Sequence, residues 1–140
     1  MIRTCPTCSA RNRLPLKRML EGPRCGKCKT PLPPPTKPIP VASGHDFRIM
    51  LRDSPVPVLV DFWAAWCGPC KAMAPEFERM AAELSGEVLL AKVNTDEVPQ
   101  IASEYRIQSI PTLILFKSGE EDGRVTGAAS GSTLRRRLGI

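Results

Sequence analysis

The sequence has no apolar run approaching the roughly 18 residues that a membrane-spanning helix requires, so no segment is expected to cross a bilayer. Its amino terminus, Met1-Ile2-Arg3-Thr4-Cys5-Pro6, has neither a hydrophobic signal segment nor a small-residue cleavage site. Nothing there directs the chain out of the cytoplasm. Histidine occurs once, as His45, close to an expected helix start where a surface position is expected. No cysteine is left over either. The six divide into three Cys-x-x-Cys pairs: Cys5/Cys8, Cys25/Cys28 and Cys67/Cys70. In a reducing cytosol such pairs are metal ligands or redox catalysts more often than structural disulfides.

What is present sets the scale. The 140 residues suit one domain and a small appendage. An apolar content of 42% is enough for a globular core. The net charge of +6 is unevenly placed. Residues 1–40 hold nine Lys/Arg and one acid, Glu21, whereas residues 41–140 hold eleven basic and thirteen acidic groups. A basic module therefore precedes a nearly neutral body. Such charge can attract nucleic acid or acidic partners. It reads here as solubility and as balance for bound thiolates, and nucleic acid is not expected as a partner.

Three zones follow. Residues 1–30 carry four cysteines. Residues 31–40 contain six prolines, which favour an extended polyproline conformation and predict a semi-rigid spacer on the order of 30 Å. Residues 41–140 alternate strand-like and helix-like segments. Ser43, with Asp46 three residues on, predicts a capped helix to about Leu51. Pro57 to Phe62 and Val88 to Val93 read as buried strands. Cys67 to about Leu84 reads as a helix, with Met73, Phe77, Met80, Ala81 and Leu84 on one face, Gly86 as its stop and a kink at Pro75. A short helix is predicted over Pro99 to Tyr105, a strand over Thr112 to Lys117, a turn at Ser118-Gly119, an edge strand over Arg124 to Thr126 and a last helix over Ser132 to Leu138. That order is an α/β plan with a central mixed sheet flanked by helices.

Trp66-Cys67-Gly68-Pro69-Cys70 stands at the junction between the first buried strand and the helix that follows. A cysteine at a helix amino terminus meets free N–H groups and the positive end of the helix dipole, both of which favour its thiolate. Gly68 permits close approach, and Pro69 suits a first helical turn. Cys67 is thus expected to be the exposed, activated thiol and Cys70 the shielded one, one turn along.

The stretch Val60-Asp61-Phe62-Trp63-Ala64-Ala65-Trp66-Cys67-Gly68-Pro69-Cys70-Lys71 resembles the active-site signature of the thioredoxin family. Ile110-Pro111-Thr112 resembles the family's cis-proline loop, and Gly127 its late glycine, so the resemblance covers roughly residues 41–140. It implies the thioredoxin fold and dithiol–disulfide exchange, with Cys67 attacking a substrate disulfide and Cys70 resolving the mixed disulfide. Asp61 interrupts an apolar run, where a carboxylate is costly to bury and rises in pKa. A strand-end carboxylate can also simply reach solvent or a lysine. The resemblance makes Asp61 the proton acceptor for Cys70 and Lys92 its neighbour. It also implies a docking surface of Trp66, Gly68, Pro69, Ile110, Pro111 and Gly127, with the Ile110–Pro111 bond cis. Trp63 is expected to be core packing rather than a contact residue. One departure stands out: Tyr105-Arg106-Ile107-Gln108-Ser109 places Arg106 and Ser109 where many relatives carry glycine, a change that bears on docking rather than electron transfer.

Cys5, Cys8, Cys25 and Cys28 form a Cys-x2-Cys-x16-Cys-x2-Cys pattern, which reads as a four-thiolate zinc site. About thirty residues bury too little surface to fold alone, so metal is expected to supply most of the folding free energy. Two further redox dithiols are the non-metal alternative. A zinc ribbon ahead of a thioredoxin body resembles the zinc-containing bacterial thioredoxin 2 group. A structural cap, a redox sensor active under oxidative stress and a binding arm are the three roles open to it.

The function expected is that of a cytoplasmic, monomeric protein-disulfide reductase with one zinc and no organic cofactor. Its partners would be disulfide-containing proteins and a thioredoxin reductase, with no membrane. The alternatives are a redox-responsive or chaperone-like interaction module that docks through the ribbon, and a disulfide oxidase or isomerase. The Gly68-Pro69 pair argues, by resemblance, for the reducing end.

Overall fold

A computed structural model describes all residues from Met1 to Ile140. Two short strands, β1 (Ile2–Thr4) and β2 (Arg11–Arg13), pair antiparallel and are followed by a 3-10 turn at Leu16–Arg18. The body comprises β3 (Ile39–Pro40), α1 (Gly44–Asp53), β4 (Val58–Trp63), α2 (Gly68–Glu83), β5 (Leu89–Asn94), α3 (Pro99–Glu104), β6 (Thr112–Lys117), β7 (Glu120–Thr126) and α4 (Gly131–Leu138). Its five strands form one mixed sheet in the order β3-β5-β4-β6-β7. The pairs β3/β5 and β5/β4 are parallel, and β4/β6 and β6/β7 antiparallel.

Alternation along β4 divides the core between the two faces of this sheet. Val58, Val60 and Phe62 pack with Phe47 and Met50 of α1 and Ile101 of α3. Leu59 packs with Met73, Phe77 and Met80 of α2 and with Leu134 and Leu138 of α4. Asp61 falls in the second set by the same alternation. Local signals hold the helices in place. The Ser43 hydroxyl accepts the Asp46 N–H at 3.1 Å at the start of α1, and the Ser130 hydroxyl accepts the Thr133 N–H at 3.2 Å at the start of α4. Gly139, at φ 71°, ends α4 in the left-handed conformation. α2 runs unbroken past Pro75, which leaves the Lys71 carbonyl without its usual donor four residues on.

The final strand and helix are longer than the sequence pattern indicates. β7 begins at Glu120 rather than Arg124, because the Ser118-Gly119 turn lets β7 pair with β6 along its whole length. α4 begins at Gly131, capped by Ser130 rather than starting at Ser132.

The segment 31–40 is no free spacer. Leu32 is buried against Cys5 and Cys25. The Pro34 carbonyl accepts the Ser85 hydroxyl at 3.2 Å, the Pro33 carbonyl accepts the Arg3 guanidinium at 2.6 Å, and Ile39–Pro40 adds an edge strand to β5. Pro38 and Pro40 lack N–H groups, and an edge strand tolerates that. Leu16 and Met19 of the amino-terminal module belong to the same cluster as Phe47, Met50 and Leu51 of α1. The two modules therefore share a core. Met19, 2% exposed, is its clearest probe. Met19→Ala should cost about 2–4 kcal/mol of stability, measured by urea unfolding of the metal-loaded chain. A loss under about 0.5 kcal/mol would show that the ribbon does not support the body.

Candidate active site and metal centre

β4 is hydrogen-bonded on both sides and ends at Trp63. Four residues later Cys67 is the N-cap of α2, with extended backbone angles (φ −85°, ψ 111°). Its sulfur accepts the Cys70 N–H at 3.2 Å, one of the donors a helix start leaves free. Pro69 lies in the first turn, as its missing N–H allows. Cys67 and Cys70 are joined as a disulfide, with Cα atoms 5.3 Å apart. The remaining cysteines, Cys5, Cys8, Cys25 and Cys28, form no disulfide.

The expected contrast in exposure is absent. Cys67 is 4% exposed and Cys70 3%. Cys67 Sγ is closed in by its bond to Cys70, by the Cys70 N–H and by the Ile110 carbonyl oxygen 3.7 Å away. The two sulfurs differ in position instead, Cys67 at the helix cap and Cys70 inside the first turn.

The surrounding loops converge on the disulfide. The Ile110–Pro111 peptide is cis, and the Pro111 carbonyl accepts the Gly127 N–H at 2.8 Å. Gly127 has φ 94°, a conformation that other residues adopt only at a cost. Trp66 projects outward, 69% exposed, with its indole N–H donating to Asp96 at 3.0 Å. Gly68 and Pro69 are exposed beside it. Arg106, on the approach to Pro111, has φ 54°. That left-handed backbone explains why glycine would suit the position. Ser109 is exposed, and its carbonyl accepts the Thr112 hydroxyl at 2.6 Å. His45 is exposed on the first turn of α1.

Asp61 lies inside, 1% exposed, and its Oδ1 has no hydrogen-bond partner in the protein. Burial pushes its carboxyl up to about 6, and the Lys92 ammonium offsets part of the rise. Lys92 is its register partner on β5. The Lys92 Nζ lies 4.5 Å from the Trp63 ring centroid. Trp63, half-buried at the end of β4, thus meets the Lys92 ammonium, a contact that the sequence pattern misses. No periodicity marks which ring a lysine on the neighbouring strand will meet.

In the amino-terminal module the four cysteine sulfurs all lie within 4.8 Å of one another. Cys5 and Cys28 sulfurs are 3.6 Å apart, as are those of Cys8 and Cys25. Tetrahedral zinc with Zn–S of about 2.3 Å needs sulfurs about 3.8 Å apart, so the four residues fit the ion. Each knuckle turns a backbone N–H onto its first sulfur, Thr7 N to Cys5 Sγ and Lys27 N to Cys25 Sγ, both at 3.4 Å. The Cys28 backbone and the Asn12 amide hold the Cys25 thiol below its ordinary range. Against a hydrogen bond to the Ala10 backbone, burial and the neighbouring thiols push Cys8 up to about 11.

The comparisons agree with this geometry. The thioredoxin family model matches residues 38–139. The chain belongs to the thioredoxin family. It is a thiol–disulfide oxidoreductase of the protein-disulfide reductase type. A second model, that of the thioredoxin 2 amino-terminal zinc ribbon, matches residues 4–30. Thioredoxin C-3 from Corynebacterium nephridii is 39% identical over 91% of this chain and 86% of its own length. Thioredoxin 1 from a Nostoc strain is 51% identical over 66% of this chain and 86% of its own. Among solved structures, a point-mutant thioredoxin from Halobacterium salinarum superposes with a TM-score of 0.69 at 32% identity, covering 75% of this chain and 90% of that one. Thioredoxin from Trypanosoma brucei brucei gives 0.68 at 34% identity, covering 74% and 88%.

The carboxyl of Asp61 has a measurable consequence for stability. The unfolded chain releases this proton near pH 3.8, whereas the folded chain holds it to about pH 6. Wild-type stability from this group is therefore full below about pH 4 and falls as pH rises to about 6. Asp61→Asn should be more stable than wild type above pH 6, by roughly 3 kcal/mol at 1.36 kcal/mol per unit, with the difference vanishing near pH 4. Denaturant unfolding at the two pH values checks this, and a pH-independent difference would contradict it.

Proposed function

We propose that this thioredoxin-family protein reduces disulfides in other proteins through Cys67 and Cys70 and is itself re-reduced by a thioredoxin reductase. The observation that carries the reading is the Cys67–Cys70 disulfide at a helix cap, with the Ile110 carbonyl against one sulfur. In the dithiol form the Cys67 thiolate attacks one sulfur of a substrate disulfide. The substrate S–S bond breaks, and the departing thiolate takes a proton from solvent. Cys70 then gives its proton to the Asp61 carboxylate, and its sulfur attacks Cys67. The Cys67–Cys70 disulfide forms and the second substrate thiolate leaves. Two electrons pass from the dithiol to the substrate, and the reductase returns them.

Asp61 suits the acceptor role because burial holds its carboxyl near neutrality. Lys92, beside it in register, supplies the opposing positive charge. The docking surface is Trp66, Gly68 and Pro69 on one side and Ile110, Pro111 and Gly127 on the other. The Ile110 backbone N–H and C=O are free of any backbone partner, so an extended substrate segment can pair there. Arg106 and Ser109 would tune which segments do.

Cys5, Cys8, Cys25 and Cys28 hold one zinc in this reading, and no organic cofactor is involved. Bound zinc joins the two knuckles and so fastens the ribbon. The structural role is favoured over a docking arm by position. Pro34 and Leu20 lie closest to Gly86, at the end of the sheet where β5 begins, whereas the dithiol follows the far end of the parallel strand β4. A six-residue strand spans roughly 20 Å. A monomer in a reducing, cytoplasmic setting is the matching context, because free thiolate pairs persist there. No helix is long and apolar enough to cross a membrane.

The test is insulin reduction with NADPH and thioredoxin reductase, with zinc quantified on the same sample. Wild type should turn over and carry about one zinc per chain. Cys67→Ser should be inactive, and Cys70→Ser should stall as a mixed disulfide after one event. Turnover by Cys67→Ser would overturn the assignment and favour an interaction platform.

A further inference from the structure

Asp61, Trp63 and Lys92 share one face of the sheet. Asp61 and Trp63 are two residues apart on β4, and Lys92 sits beside Asp61 on β5. The Lys92 ammonium thus has two partners within reach of its stem, the Asp61 carboxylate and the Trp63 ring. It takes the ring, at 4.5 Å from the centroid. Neither Asp61 nor Lys92 belongs to any ion pair in the protein. Asp61 Oδ1 is left without a hydrogen bond from the protein.

This arrangement needs a cause. A buried carboxylate and an ammonium at neighbouring register positions attract each other strongly in a low dielectric. Closing that gap would drag the ammonium out of water and into the core, at a desolvation penalty. The aromatic face offers the ammonium a site at the half-buried rim, with its stem lying along apolar surface. Trp63 and Lys92 are each half-buried, whereas Asp61 is fully buried.

We propose that Trp63 is a positioning residue whose ring holds the Lys92 ammonium off the Asp61 carboxylate, leaving a carboxylate oxygen free for the proton of Cys70. The proposal rests on the reading that Asp61 serves Cys70. Lys92, from β5, is the one charged group that acts on the carboxyl. α2, which packs on the same face of the sheet, buries Cys70, Met73 and Phe77, and β6 brings the register partner Leu113. An ammonium in contact with Asp61 would occupy the free oxygen. It would also hold the carboxyl ionised to lower pH, which weakens it as an acceptor at neutrality.

The experiment is a carbon-13 carboxyl NMR titration of Asp61 in the oxidised, zinc-loaded full chain. Trp63→Leu frees Lys92 and should move the Asp61 midpoint down by about one pH unit, the low end for an opposite charge brought into contact. Trp63→Phe keeps a ring and should move it less. Lys92→Met should move it up and abolish the effect of Trp63→Leu. The low-pH limb for release of a reporter thiol from the Cys67 mixed disulfide should move down with the midpoint. A midpoint unmoved or raised in Trp63→Leu would overturn the proposal, as would a downward shift that survives in Lys92→Met. Reporter release by Asp61→Asn at the wild-type rate would overturn the role of Asp61 itself, while the carboxyl midpoints would still decide what Trp63 does to Lys92.

Discussion

The position of β4 between β5 and β6 governs where chemistry can occur in this protein. Pairing on both edges holds the strand from Val58 to Phe62, and Trp63 is paired to β5 alone. The chain then has only three residues, Ala64 to Trp66, before the cap of α2. Cys67 is therefore delivered to the helix cap, and its sulfur meets the Cys70 N–H because that is where the free donors of a new helix point. The same strand carries Asp61 into the core, on the sheet face that packs against α2, and aligns it with Lys92 through the parallel register. One strand thus sets the place of Cys67, the buried carboxyl of Asp61 and the register of the charge beside that carboxyl. The antiparallel neighbour β6 begins directly after Pro111, which brings the Ile110 carbonyl to Cys67 from the opposite side.

Burying Asp61 works against the fold. Its carboxyl oxygen lacks a partner in the protein, and its proton is held to about pH 6. An apolar residue there would pack β4 against α2 at no such cost. The penalty is intelligible if the carboxyl is to exchange a proton near neutrality, since an exposed aspartate would be ionised throughout and too weak a base. The rest of the core is large enough to bear it, with sixteen buried residues on one face of the sheet and thirteen on the other. The ribbon contributes to the first of these through Leu16 and Met19. Its own cluster is only Cys5, Cys25 and Leu32, too small to stand without a metal or the body behind it.

Much of this was legible in the sequence, for local reasons. Thr112–Lys117 reads as a strand and is one, residue for residue, because a run of buried apolar residues between Pro111 and Ser118-Gly119 has clear ends. The cap at Ser43, the cluster of four cysteines and the Cys67/Cys70 pair are all short-range signals. What escaped depends on distant partners. Ile39–Pro40 sits in a proline tract with no strand pattern, and only the exposed edge of β5 makes it a strand. Leu16 and Met19 look like isolated apolar residues in a basic module until α1 covers them. The burial of Cys67 depends in part on the Ile110 carbonyl, forty-three residues away. The contact between Trp63 and Lys92 is set by strand register, which no single segment encodes.

The central claim is that Asp61 takes the proton of Cys70 when the mixed disulfide resolves. Release of a reporter thiol from a mixed disulfide at Cys67, followed in a single turnover from pH 5 to 8, measures that step directly. The account predicts a wild-type rate that rises with pH through a midpoint near 6, where Asp61 ionises. In Asp61→Asn that limb should be lost, with release slower by about 100-fold at pH 7, the lower end for a positioned general base. The same rate and the same pH profile in both proteins would contradict it.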